Sequence, residues 1–458
     1  GTYEIIGDST TISALSPIVI PVSATDFQAL SDYADGADIE VRAVLSDLSY
    51  TTFGTASASI IHIDVTAPID SEVGAVVAQT GTVVNNFWNG TNQSLRVTVP
   101  FTASDLSMLG GNIQLQARIN NLPYVNTGTP VTVETPTSPV NILLGRADIE
   151  GLVGFGSGVD LYVGAQLTDN AGNLTLYEAS QTVVRIDTTQ PTDPVIGVTP
   201  MGENPVAGRW NMLTDSAVVH VPLENDSTLL HLDGQVATVG ITSVQMRVGT
   251  NAWTNVGTAA LITALNDSAH VTVARNEIVG LTGYQDGAWI FSRARIVDQA
   301  GNADTSLVSD DSLQIDISPP AAFQVESVIT AGGSVVENYW NASNSGVEVS
   351  VPIANDASLM TGTLEIQVYV GDTWAFVEGE GIAATETIEQ INTTQVVQID
   401  SSVIEHLAGF DELTILWFNA IITDRNGNRT LSSPVTHYLE VDQIAPDTAA
   451  IGLVYDPD

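Results

Sequence analysis

Apolar residues in this chain come in short runs that alternate with polar or small neighbours. Leu161, Val163, Ala165 and Leu167 alternate in one stretch, and Leu416, Phe418, Ala420 and Ile422 in another. Successive side chains of a strand point to opposite faces, so each run predicts a strand with one buried face. The runs end in the same turn: Asp169-Asn170-Ala171-Gly172-Asn173, Asp298-Gln299-Ala300-Gly301-Asn302 and Asp424-Arg425-Asn426-Gly427-Asn428. One strand later comes a second signal: Ile186-Asp187 leading to Pro191, Ile315-Asp316 to Pro319-Pro320, and Val441-Asp442 to Pro446. From turn Asp to linker Asp is 18 residues in all three copies. An earlier copy, Asp47 to Asp64, has a separation of 17 and lacks the Gly-Asn pair. Two unlike signals at fixed spacing mark one unit repeated in tandem.

Successive linker aspartates (64, 187, 316, 442) lie 123, 129 and 126 residues apart, the size of a domain and too large for a solenoid repeat. The boundaries follow: an incomplete module at 1–68, modules at 69–191, 192–320 and 321–446, and 447–458 as the first strand of a further module or a donor strand. Other signals recur within each unit. Trp88, Trp210 and Trp340 each precede Pro100, Pro222 and Pro352 by 12 residues. Strands are expected at 73–77, 113–119 and 364–370. Ile149, Leu152 and Phe155, with counterparts ending in Tyr284 and Phe410, predict one helical turn whose aromatic plugs the end of a sandwich. Ala43, Ala165, Ala294 and Ala420 all precede the turn Asp by four, which predicts a spot with room only for a small side chain. Many short strands with turn signals between them and no helical periodicity predict an all-β chain of tandem Ig-like or FnIII-like β-sandwich domains forming an elongated rod.

Composition changes the picture in two ways. All 12 basic residues are arginine, against 53 acidic residues and a formal net charge of −41. Such a field repels nucleic acid and anionic membrane surfaces and favours divalent cations. The absence of lysine also excludes Lys–Asn isopeptide crosslinks. There is no cysteine, so disulfides and thiolate metal sites are excluded and ordinary cores must hold the modules. No apolar run is long enough to span a bilayer, so no membrane insertion is expected.

A strand ending in Asp-x-Ala-Gly-Asn, followed by one ending in Ile-Asp and a nearby Pro, resembles the tandem bacterial Ig-like repeats of large secreted adhesins and other surface proteins. The resemblance covers residues 69–446 in three copies and implies an extracellular, cell-surface location. It also implies a spacer role, with ligand binding left to other domains. A structural rod, sheath or filament subunit is the leading expectation. An adhesin or carbohydrate-binding stalk, with a glycan or cell-surface ligand, is the alternative.

In an Ig-type sandwich the loops at the entry end should gather each linker Asp with two loop carboxylates of the module it leads into. That predicts Asp64 with Asp105 and Asp169, Asp187 with Asp226 and Asp298, and Asp316 with Asp356 and Asp424. Three carboxylates repel one another unless a hard cation sits among them, so structural calcium is expected at these junctions. The resemblance suggests the same. In the turn itself Asp should accept backbone hydrogen bonds, Gly should take the positive φ, and Asn should tolerate a left-handed conformation. The six histidines show no ligand spacing and no repeated position, so no enzyme activity is expected. Eight Asn-x-Ser/Thr sequons begin at Asn89, Asn92, Asn173, Asn225, Asn266, Asn341, Asn392 and Asn428. The first module lacks an opening strand, and residues 446–458 carry an unmatched apolar run. Two expectations follow: the chain is a window cut from a longer repeat array, or it self-associates, the tail of one subunit completing the first module of the next in a homo-oligomer or filament.

Overall fold

The alternating runs become strands, and every inward position named above for residues 161–167 and 416–422 is buried. The structure is a computed structural model and describes residues 2–13, 17–69, 71–232, 237–265, 268–371 and 381–446. Residues 447–458, expected to form the first strand of a further module or a donor strand, and the Asn266 sequon lie outside the described residues. The chain divides into two compact units. One comprises Gly1–Pro191 with Leu232–Val239 and Asp298–Asn302, and the other Thr192–His231 with Gly240–Val297 and Ala303–Asp458.

Within the first unit, residues 73–186 enclose one core between two sheets. The smaller sheet orders Val140–Gly145, Ser94–Val99 and Val76–Gln79. The larger runs Val131–Thr132, Asn112–Ile119, Val159–Thr168, Val184–Ile186 and Phe87–Trp88, with Leu174–Tyr177 and Val125–Asn126 paired at its sides. All pairs are antiparallel except Phe87–Trp88, which runs parallel to Val184–Ile186. That parallel pair matters for the junctions, because Asp187 N–H donates to Trp88 O at 2.9 Å. The linker Asp and the residue after the Trp are thereby held at one end of the sandwich.

The second unit contains two more cores, at residues 196–315 and 325–441. Each has the same three-stranded sheet opposite a larger one, and each repeats the parallel pair, Arg209–Trp210 with Leu313–Ile315 and Tyr339–Trp340 with Tyr438–Val441. Asp316 N–H and Asp442 N–H donate to Trp210 O and Trp340 O as Asp187 does to Trp88.

The three tryptophans are fully buried end plugs. The expected helical turns are Arg146–Glu150, Arg275–Val279 and Ser401–Ile404. Their aromatics close the sandwich ends: Tyr284 Oη accepts from Trp210 Nε1 at 3.0 Å, and Phe410 packs edge-on to Trp340. Ala165, Ala294 and Ala420 are each 0% exposed, which bears out the tight spot in these three modules.

The first 68 residues depart from the pattern. Ala43 is exposed, Ile61 is 48% exposed, and the buried apolar residues there are only Ile39 and Ile63 among those described. Residues 18–21, which align with a strand of the next module, form none and stay largely exposed. Two short hairpin-like pairs remain, Asp38–Ile39 with Ile61–His62 and Val44–Ser46 with Thr51–Phe53, and neither carries a second layer to pack on.

Replacing Ala165 or Ala294 by Leu inserts three carbons where neighbours already fill the space, and should cost about 1–3 kcal/mol. Thermal unfolding with near-UV circular dichroism checks this. Melts that superimpose on the parent would show that the spot is not tight.

Candidate functional site

The three Asp-x-x-Gly-Asn turns are built alike. Asp169 Oδ1 accepts from Gly172 N–H at 2.7 Å and Asn173 N–H at 2.8 Å. Asp298 Oδ1 accepts from Ala300 and Asn302 N–H, both at 2.9 Å, and Asp424 Oδ1 from Asn426 and Asn428 N–H at 2.8 and 2.9 Å. The glycines sit at φ 97°, 90° and 91°, as the sequence predicts. The asparagines do not take the left-handed conformation expected of them; the residues with positive φ do not include Asn173, Asn302 or Asn428. Their side chains explain their presence instead.

Each asparagine amide is a strut between the turn and the preceding linker. Asn173 Nδ2 donates to Asp169 Oδ2 at 3.0 Å and to Asp64 at both its carbonyl (3.0 Å) and Oδ1 (3.2 Å). Asn302 Nδ2 donates to Asp298 Oδ2 and to Asp187 O, each at 2.9 Å. Asn428 Nδ2 donates to Asp424 Oδ2 and Asp316 Oδ1, each at 3.1 Å, and Asn426 Nδ2 adds a bond to Asp316 Oδ2. An amide supplies two N–H donors and one carbonyl acceptor, so it can satisfy two anionic neighbours and still accept a third bond.

That third bond comes from the loop after the Trp. Asn302 Oδ1 accepts from Gly90 N–H at 3.0 Å, and Asn428 Oδ1 from Met212 N–H at 2.9 Å. Alongside, Asn89 Nδ2 donates to Ala300 O at 2.7 Å and Asn211 Nδ2 to Asn426 O at 2.9 Å. Both loops are internally held: Asn89 Oδ1 accepts from Thr91, Asn211 Oδ1 from Leu213 and Thr214, and each Asn also ties back to an earlier carbonyl, Thr82 O or Asn204 O. Arg146 and Arg275 lie over Trp88 and Trp210 and donate to carbonyls of the same loops. Asn89 and Asn211 are fully buried as a result. Asn89, Asn92 and Asn428 are sequon asparagines at 0% exposure whose amides are already bonded, a poor setting for a glycan.

Each linker Asp lies near the turn Asp expected beside it, and at Asp64 the loop carboxylate Asp105 is near as well. Asp64 lies in the field of Asp169, Asp35 and Asp105, Asp298 in that of Asp187, and Asp424 in that of Asp316. Burial is the first cause that pushes all three acids above the ordinary carboxylate range, and the neighbouring negative charge adds to it, against the hydrogen bonds each accepts. Asp298 is pushed up to about 6. Asp105, Asp226 and Asp356 are turned onto their own loops, where each caps a short 3-10 helix through Ser107, Thr228 or Ser358. Among the described residues no three acidic or histidine side chains form a group that could hold a metal ion. At Asp64 and Asp316 an asparagine amide nitrogen bridges the linker and turn carboxylates, whereas at Asp187 the Asn302 amide meets the linker's carbonyl and leaves the Asp187 carboxylate to other donors. Sequence reasoning missed the Asn struts and their Asn89 and Asn211 partners. The available signal was the Asn that follows the Trp in all three modules.

Two histidine contacts stand out among the described residues, His62 with Asp38 and His220 with His270. His220 and His270 meet across two strands at 3.0 Å in one module only. A groove of about 540 Å³ is lined by Glu386, Glu389, Gln390 and hydroxyl or amide neighbours, without a histidine in its lining.

Neither a family model nor a curated protein matches this chain. Among solved structures, it is similar to the FN1–FN3 domains of chicken CNTN1 at 10% identity, with a TM-score of 0.30, over 81% of this chain and 99% of that one.

Glycine substitutions separate the turn from what covers it. A Cβ on Gly172 meets nothing within 4 Å, so Gly172→Ala should cost only the left-handed penalty of about 1 kcal/mol. A Cβ on Gly301 would stand 2.7 Å from Thr82 Cγ2, and one on Gly427 would overlap Asn211 Nδ2 and Asn204 O. Gly301→Ala and Gly427→Ala should therefore destabilise by at least about 1 kcal/mol more, read from urea unfolding. Equal costs at the three positions would mean that the covering contacts are not made.

Because Asp298 titrates higher when folded than in an unfolded chain, the folded state binds its proton first. Its contribution to stability is greatest below about pH 4 and is lost as pH rises through about 6, above which it stays level. Carboxyl 13C titration, with Asp298→Asn to assign the resonance, should show a midpoint near 6. A midpoint in the ordinary aspartate range would refute the buried placement.

Proposed function

We propose that this chain is a structural segment of an extracellular repeat protein, in which sandwich modules serve as spacers and polar junctions set how firmly neighbours are coupled. The observation that carries this reading is the repetition of one device: a turn Asp, an Asn amide and a linker Asp joined in the same order three times. Independent binding sites would place different chemistry in different modules, whereas here the repeated polar chemistry is spent on joining them. The strongly acidic, cysteine-free composition and the absence among described residues of a helix long and apolar enough to cross a membrane accord with this role.

Replacing Asn302 or Asn428 by Ala should loosen one junction at a cost of about 1–3 kcal/mol, since buried acceptors lose their donors. Small-angle scattering should show greater flexibility in the variants, with each module's far-UV spectrum retained. Scattering curves identical to the parent would remove the coupling role. A glycan array on which the soluble chain binds one sugar tightly and selectively would favour the adhesin or stalk alternative.

Calcium at the junctions remains a proposal of its own. It would require an Asn amide to turn its oxygen toward the carboxylates, and at Asn302 and Asn428 that breaks the bond from Gly90 or Met212 N–H. The ion would then offset the burial, and the smaller carboxylate repulsion, that together raise Asp298 and Asp424. Melts in calcium and in chelator decide between them: a calcium-dependent rise supports the ion, and equal melts leave the amide as the whole junction.

A further inference from the structure

The loop after Trp340 has the same internal hydrogen bonds as the loop after Trp88, and shares with the loop after Trp210 the Asn that accepts from the residue two further on and donates to an earlier carbonyl. Asn341 Oδ1 accepts from Ser343 N–H at 3.0 Å and from Ser343 Oγ at 2.6 Å, as Asn89 Oδ1 does from Thr91. Asn344 Oδ1 accepts from Asn341 N–H at 2.7 Å, and Asn344 Nδ2 donates to Gly332 O and Ser334 O, matching Asn92. Asn341 Nδ2 donates to Ser334 O at 2.7 Å, as Asn89 does to Thr82 O. There the likeness stops. Among the described residues no second acceptor meets Asn341 Nδ2, whereas Asn89 and Asn211 each have one, and Ala342 N–H stands where Gly90 and Met212 donate to a turn asparagine. Asn341 is half-buried and Ala342 exposed, against full burial of Asn89 and Asn211.

We infer that this end of the fourth module, formed by Asn341 Nδ2, Ala342 N–H and Asp442, is a receptor for an Asp-x-x-Gly-Asn turn of a further module of the same kind. The chemistry is complementary bond by bond. Asn341 Nδ2 would donate to the carbonyl before the turn Gly, Ala342 N–H to the turn Asn Oδ1, and that Asn would donate to Asp442. At the two complete junctions the docking turn belongs to the module into which the linker leads, so the occupant that fits is a module of this kind joined through the linker after Asp442. Ser401 stands where Arg146 and Arg275 pin the other loops, so this loop is held by its own bonds and by Ser401 N–H to Ser345 O.

The inference rests on the coupling role proposed for the junctions, and the test separates the two. In the full chain, Asn211→Ala should lower the unfolding midpoint by several degrees and Asn341→Ala by much less. In an extended chain, with residues 192–320 or alternatively 69–191 repeated after Pro446, hydrogen exchange at Ala342 should slow by about tenfold or more. Asn341→Ala in that extended chain should reverse the slowing. If Asn211→Ala is silent, the coupling role itself fails. If Asn211→Ala is costly but Ala342 exchanges equally fast in the parent and in both extended chains, or Asn341→Ala already costs as much in the parent, the receptor is refuted.

Discussion

The structure depends on how carboxylates can be brought together out of water. Each junction places a turn Asp near a linker Asp, and burying two like charges is costly unless each is hydrogen-bonded or neutralised. The asparagine amide meets that constraint without adding charge. Its two N–H groups join the turn carboxylate to the linker Asp, through the linker's carboxylate or its carbonyl, and at Asn302 and Asn428 its oxygen accepts from the loop beyond, so a repulsive pair becomes part of a small polar lattice. The raised pKa of Asp298 shows the residual cost: the bonds do not cancel the burial.

The three junctions form a graded series that shows what each contact contributes to burial. At Asp64 the module before it has no Trp-Asn loop, and Asn173 stays half-buried with space around Gly172. At Asp187 and Asp316 the loop is present, Asn302 and Asn428 are 2% and 0% exposed, and the glycines are crowded. The turns are the same in sequence pattern; what differs is the surface that receives them.

Much of this was legible in the sequence because it follows from period. Alternation gave the strands, the fixed 18-residue spacing gave the repeat, and the recurrent Ala and Trp positions gave the core's narrow point and end plugs. What stayed hidden was the direction in which polar side chains point. Asp105, Asp226 and Asp356 are short-range caps, yet from the chain alone each looked equally free to face the linker. Asn173, Asn302 and Asn428 read as turn formers because backbone conformation is the commonest reason for Asn beside Gly. Their second use requires knowing that a linker more than 100 residues earlier returns to the same place. Residues 1–68, expected to be an incomplete module, differ in another way: apolar residues are plentiful there, but most of the large described ones stay exposed and no second layer of strands covers them.

The polar lattice also gives the array a reading direction. Every module from 69 onward presents its turn to the linker before it, and the loops after Trp88 and Trp210 take up the turn that comes next. A two-fold pairing of like ends would set donors against donors, so these surfaces match only in head-to-tail order. Because each joint uses the same atoms, removing or duplicating one whole module leaves matched ends behind. Length can then change by units without any new contact having to be invented.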